Sequence, residues 1–148
     1  MTAYATRALV ELRLGDVLRL EVLLADSQGI ERPGALDAAI ADAQEEIDAA
    51  LASRYSFPLT GTVPAQVARW TADMALATLA ESRPGGLGGG LAKKADRARG
   101  EIEAVRKGML SIPGLAARDL VAGGTDEAPK KLTDGPAADG AAGTMDKW

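Results

Sequence analysis

"LDAAIADAQEEIDAALASRYSFPL", residues 36–59, decides the fold. Leu36, Ile40, Ala43, Ile47 and Leu51 recur at steps of four and three, the period of one face of an α-helix. Asp37, Asp42, Glu45, Glu46 and Asp48 share the remaining positions with alanine, the strongest helix former. The spacing predicts a helix from about Ala35 to Arg54. Its end is assigned to Phe57–Pro58, because the residue before a proline avoids the helical region. Tyr55 lies one turn beyond Leu51 and extends the apolar stripe. It is expected to pack against the start of the next helix, near Trp70. The chain holds two Trp, two Tyr and one Phe, and two of these fall within residues 55–57. In a core built mainly of alanine, such large side chains set how helices turn past one another. Arg54, Tyr55, Phe57, Pro58 and Trp70 therefore read as a structural corner.

Downstream, Pro64 suits the first turn of a helix that continues to about Ser82. Val67, Trp70, Met74, Ala75, Leu76, Ala77 and Leu79 make it apolar almost all round, with Arg69, Asp73 and Glu81 its few charges. It should be the most buried element. Upstream, residues 6–14 read as a short helix capped by Thr6 and stopped at Gly15. Asp16 is a candidate cap for a second short helix over 17–24, and "ADSQGIERPG" (25–34) reads as a loop.

"RPGGLGGG" (83–90) has the composition of a flexible hinge. A fifth helix is predicted over 92–112, where Ala98, Ile102, Val105, Met109 and Ile112 alternate by four and three. Its bases are Lys93, Lys94, Arg97, Arg99, Arg106 and Lys107, so its charge opposes that of the third helix. From Pro113 onward glycine, proline and alanine dominate, with only scattered large apolar groups. Such a segment cannot bury enough surface to offset its ordering entropy, so it should be ordered only by something else, most simply a partner chain. The fold class is therefore all-α: a compact bundle of about five helices, two short and three long. The domain reading is a helical unit over 1–112 followed by an extended tail over 113–148.

Composition narrows the function. The net charge of −4 leaves no global basic excess for phosphate-backbone binding. The chain has no cysteine and no histidine, which removes thiolate metal sites, the commonest general base and the commonest metal ligand. Arg7, Glu11 and Arg13 make the N-terminal stretch unlike a signal peptide, and no apolar run approaches the roughly 20 residues of a membrane span. A soluble protein made in a cytoplasm is expected.

The motifs that could carry chemistry fail on spacing. "GGLGGGLAKK" lacks the Gly-Lys-Ser/Thr ending of a phosphate loop and follows a helix rather than a strand. "DSQGIE" (26–31) lacks the alternating oxygen ligands and late glutamate of a calcium loop, and reads as a solvated turn. The carboxylates of the third helix alternate with the apolar stripe as a solvated face does, and nothing in the sequence marks any acid as buried. The serines have no histidine base. The expectation is no catalytic residue, no cofactor, no metal and no enzymatic activity.

Two features point to association. The bases of the fifth helix are expected to pair with the acidic third helix, within one subunit or between neighbours; contact with DNA is the alternative. Gly100, Ala104 and Gly108 lie four apart as a small-residue ridge, although glycine inside a helix costs about 0.5–1 kcal/mol relative to alanine. Another backbone passing close by would explain it, either within the chain or across an oligomer seam. Glu45, Asp48, Arg97, Gly100, Ala104 and Gly108 are the candidate subunit interface.

In order, "YAT" (4–6), the 36–59 stretch and "VP" (63–64) opening an alanine-rich helix resemble the small head–tail connector proteins of long-tailed bacteriophages, the Mu-like prophage group. The resemblance rests on Ala43, Glu46, Ile47, Asp48, Arg54, Tyr55, Pro58, Leu59, Val63 and Pro64, and covers roughly residues 4–112. It departs from that group at the "DSQGIE" turn and in the length of the glycine-rich hinge. The resemblance implies a virion adaptor, assembled in the host cytoplasm as a ring, commonly a dodecamer, beneath the portal protein. Such a ring extends the DNA channel toward a stopper or tail-completion protein, and DNA passes without sequence-specific binding. In such adaptors C-terminal segments grip the portal, which here assigns portal contacts to Leu115, Leu120, Val121, Leu132 and Trp148. The alternative function is a DNA-binding or DNA-packaging accessory protein that uses the basic helix 92–112.

Overall fold

The 36–51 stripe folds as a helix, and its apolar face turns inward. The computed structural model describes residues 2–15, 19–83 and 89–117. Among them are five helices and no strand: α1 (Arg7–Leu14), α2 (Leu20–Leu24), α3 (Ala35–Leu51), α4 (Ala65–Glu81) and α5 (Gly89–Arg106). One isolated antiparallel bridge joins Ala25 and Glu31. The all-α bundle of two short and three long helices is thus observed.

α4 is the axis of the bundle, and its all-round apolarity follows from burial on two sides. Val67, Trp70, Met74 and Ala77 join Ala43, Ile47 and Leu51 of α3 and Ala95, Ala98, Ile102 and Val105 of α5 in one core cluster. Ala72, Ala75, Leu76, Leu79 and Ala80 join Val10 and Leu14 of α1, α2, and Leu36, Ala39 and Ile40 of α3 in a second. At roughly 25 cal/mol per Å², burial of such side chains is the main stabilising term.

Local chemistry explains most helix ends. Thr6 Oγ1 accepts a hydrogen bond from the Leu9 amide (3.2 Å), and Gly15 ends α1 at φ +83°. The Asp16 cap lies outside the described residues. α2 begins at Leu20 with Arg19 at the N-cap and no side-chain cap. Its C-terminal end is held by guanidinium groups: Arg32 donates to the Leu23 and Leu24 carbonyls, and Arg83 to those of Val22 and Ala25. In the 26–31 turn, the Asp26 carboxylate accepts the Gln28 and Ile30 amides at 2.8 and 3.0 Å. Those backbone donors, Ile30 first, lower its pKa.

Two boundaries differ from expectation. α3 stops at Leu51 rather than Arg54, well before Pro58, in a turn where the Arg54 and Tyr55 amides both donate to the Leu51 carbonyl. The proline is therefore not what ends the helix. α5 starts at Gly89, inside the predicted hinge, and stops at Arg106 rather than Ile112. Residues 84–88 of that hinge lie outside the described residues. The stop is a Schellman motif: the Gly108 amide bonds to the Val105 carbonyl (3.0 Å), and the Met109 amide to that of Ala104 (2.8 Å). Gly108 has φ +84°, a conformation glycine adopts without a Cβ penalty. Past this reversal Met109 is exposed, whereas Ile112 returns to the core.

Candidate interaction surfaces

The predicted corner is a knot of hydrogen bonds that the sequence reading did not foresee, and Tyr4 is its centre. The Tyr4 hydroxyl donates to Asp48 Oδ1 (2.6 Å) and accepts from the Leu59 amide (2.7 Å), while the Tyr4 amide donates to Gln44 Oε1 (2.8 Å). Burial, then the Asp48 hydrogen bond, push the Tyr4 phenol up to about 12. Phe57 stacks edge-on against Tyr4 and Tyr55, with centroids 6.3 and 6.5 Å apart, and the Phe57–Pro58 bond is cis. Tyr55 Oη accepts the Ile112 amide at 3.2 Å, and Tyr55 lies in the same core cluster as Trp70. The chain start, the α3–α4 connection and the segment after α5 are therefore tied at one place.

Arg54 completes the corner differently. Its guanidinium lies over Gly108, where an added Cβ would sit 3.0 Å from Nη1. Arg54 Nε is buried without a hydrogen-bond partner among the described residues.

On the other side of α4, a polar groove of about 210 Å³ is lined by Arg13, Arg69, Trp70, Asp73, Lys94, Arg97, Ala98 and Glu101. Asp73 is buried, and both its oxygens accept from Arg13, at 2.8 and 2.9 Å. This hydrogen-bonded contact raises the Arg13 pKa further. Lys94 Nζ donates to the Arg13 carbonyl (2.7 Å) and so neutralises the exposed end of α1. Glu101 Oε2 accepts from Arg69 Nη2 (2.5 Å) and from the buried Trp70 Nε1 (2.7 Å). Arg97 approaches Glu101 only to 3.5 Å and keeps its side chain 83% exposed. The groove thus holds four cations against two carboxylates. Burial of Asp73 corrects the expectation that no acid is marked as buried. The available signal was its place on a helix apolar all round, where a charge must be covered and paired.

The candidate subunit-interface residues are dispersed by the fold. Glu45 is exposed on α3 without an ion-pair partner among the described residues, as are Asp37 and Asp42. Asp48 is instead occupied within the chain by Tyr4. Arg97 is on the groove, and Gly100 is exposed with nothing near a Cβ position. Ala104 is half-buried, and Gly108 lies past the end of the helix. The small-residue ridge is therefore not continuous along one helix: its last member is the helix stop, held in the left-handed region.

The expected pairing of α3 with α5 exists within the chain as Arg99 with Glu46, at 2.7 and 3.4 Å. Of the proposed tail contacts, Leu115 packs partly against its own core. Leu120, Val121, Leu132 and Trp148 lie outside the described residues. Among the described residues no acidic group is arranged to hold a metal ion, and no helix is long and apolar enough to cross a membrane.

Comparison with known proteins matches residues 4–128 to the family described as "Bacteriophage Mu, Gp36". No curated protein matches the chain.

Proposed function

The chain belongs to the bacteriophage Mu Gp36 family, and from that premise we propose that it is a head–tail adaptor of the virion neck. In this reading identical subunits form a ring, by resemblance a dodecamer, beneath the portal protein. The ring extends the DNA channel and joins the head to a stopper or tail-completion protein. It has no catalytic chemistry of its own, and the residues after Pro113 carry the portal contacts. The observation that carries the reading is the family match, which spans the whole segment whose motifs resemble the connector group.

Two physical features support it. The helical unit up to Ala117 is closed by its own knots at Tyr4 and Asp73, so a subunit can fold before it assembles. Its exposed surface separates charge by sign, with Asp37, Asp42 and Glu45 on α3 lacking an ion-pair partner among the described residues and excess cations in the α1–α4–α5 groove.

The DNA-binding alternative needs a stripe of free bases, because affinity for duplex DNA is set by the number of phosphates neutralised. Arg99 and Arg106 on α5, and Lys107 just past its end, each face a carboxylate at 2.7, 2.5 and 3.7 Å, and Lys94 is bonded to the Arg13 carbonyl, which leaves Lys93 and the loosely paired Arg97, too few for a stripe. The adaptor reading is therefore preferred.

Deletion of residues 114–148 tests it. The truncated protein is expected to remain helical and to lose its place on portal-bearing heads. Normal incorporation of the truncated protein would show that the tail does not make the portal contact.

A further inference from the structure

We propose that the groove between α1, α4 and α5 receives the acidic face of α3 from a second copy of this chain, in a head-to-tail contact. The inference rests on the ring reading and specifies which surfaces meet.

The groove has the chemistry of a carboxylate acceptor. Arg13, Arg69, Lys94 and Arg97 outnumber Asp73 and Glu101, so its internal pairing leaves an excess of two positive charges. Arg97 is the least committed, with its side chain 83% exposed and its nearest carboxylate oxygen 3.5 Å away. At about 210 Å³ the groove has room for one or two side chains. That volume suits carboxylates projecting from a helix better than the extended run of phosphates on duplex DNA, which requires several free cations along one face.

The complementary surface is on α3. Asp42 and Glu45 are three residues apart and so project from the same side of the helix; both are exposed, and neither has an ion-pair partner among the described residues. Ala38, Ala41 and Ala49 are exposed around them. Their short side chains leave the two carboxylates standing proud, so an incoming groove meets charge before bulk. Opposite potentials of this kind set orientation and reject wrong partners more than they add affinity.

The geometry also sets the polarity of assembly. The acidic face belongs to α3, and the groove to α1, α4 and α5, so the two surfaces share no helix. A contact that joins one to the other leaves each copy with one used and one free surface. Such a heterologous contact propagates, and closes into a ring when the rotation between copies permits.

The chain contains no cysteine, which makes cross-linking a direct test. Glu45→Cys and Arg97→Cys are made singly and together in the full-length protein, and treated with a short bis-maleimide both in solution and on portal-bearing heads. Both positions are exposed, so the substitutions leave the core untouched, and Asp42 on one surface and Arg13, Arg69 and Lys94 on the other keep the charge contrast that draws them together. The expected result is that neither single variant cross-links to itself, that the mixture gives covalent dimers, and that the double variant gives a ladder. Adding Asp42→Lys to the Glu45→Cys chain should cut the mixed dimer about tenfold or more. Adding Lys94→Glu to the Arg97→Cys partner should restore it.

Self-cross-linking of either single variant at the level of the mixture would overturn the head-to-tail contact. So would a double variant that gives no intermolecular product in either setting. Duplex DNA binding that Arg97→Glu abolishes would show the groove to be a phosphate site instead. Heads that contain the protein but give no 45–97 product refute this contact alone. A 45–97 product in solution from a protein never found on heads refutes the adaptor reading alone.

Discussion

Replacing Tyr4 by phenylalanine removes one oxygen atom and should unfasten the corner. The hydroxyl donates to the Asp48 carboxylate at 2.6 Å, a bond to a charged group of the kind worth about 1.5–3 kcal/mol. The same oxygen accepts the Leu59 amide at 2.7 Å in a buried position. Leaving that donor unsatisfied costs about 1–3 kcal/mol. The ring itself stays, and so does its edge-on contact with Phe57. Because the two bonds share one oxygen they are not additive, and a total of about 3 kcal/mol is expected. That is a large part of the 5–15 kcal/mol typical of a domain. For a chain of this size it lowers Tm by about 10 °C.

Urea unfolding followed by circular dichroism and by tryptophan fluorescence measures it. The midpoint should fall with the m-value unchanged. Tyr55→Phe is the internal comparison: its hydroxyl makes one longer bond, to the Ile112 amide at 3.2 Å, and its loss should cost about 1 kcal/mol. Equal losses for the two substitutions, or a Tyr4→Phe effect below about 0.5 kcal/mol, would refute the claim that Tyr4 is the node.

Three further outcomes follow from the same contacts. The Tyr4 phenol is raised to about 12, so between about pH 10 and 12 the unfolded chain loses this proton while the folded chain keeps it. Its contribution to stability is complete below pH 10 and is lost as the pH rises through the folded value, and Tyr4→Phe should remove that part of the alkaline slope. Arg13→Ala strips a buried carboxylate of both its donors and should destabilise by about 3 kcal/mol. The double substitution Arg13→Leu/Asp73→Leu should be milder in the same denaturation assay, because it leaves no charge buried. Gly108→Ala forces a side chain into the left-handed region beside Arg54 and should cost about 1–2 kcal/mol in thermal unfolding, without altering α5 itself.

What the sequence disclosed and what it hid divide along contact range. The α1 start at Thr6 and stop at Gly15 were legible because a cap is a contact between near neighbours. The central place of α4 was legible because burial on two sides leaves no polar face to hide. Gly108 carries a local signal with two meanings: a glycine straight after Arg106 and Lys107 marks a helix stop as readily as a packing ridge, and the stop is what the backbone shows. Tyr4 and Asp73 hide differently: the burial of Asp73 follows from its place on a helix apolar all round, but what either group binds does not follow from the sequence. Their partners Leu59 and Arg13 lie 55 and 60 positions away, and no periodicity reports such distances. The local aromatic cluster at 55–57 is visible in the sequence, while Tyr4, which ties it to α3 and to Leu59, is not.

The most direct measurement is the state of this chain on portal-bearing heads, read by electron microscopy and by native mass spectrometry of the extracted portal complex. Several copies in a closed ring directly beneath the portal are expected, with the helical unit of each copy in contact with two neighbours. A single copy per portal, or a protein absent from the neck and recovered instead on duplex DNA in a salt-dependent manner, would contradict it.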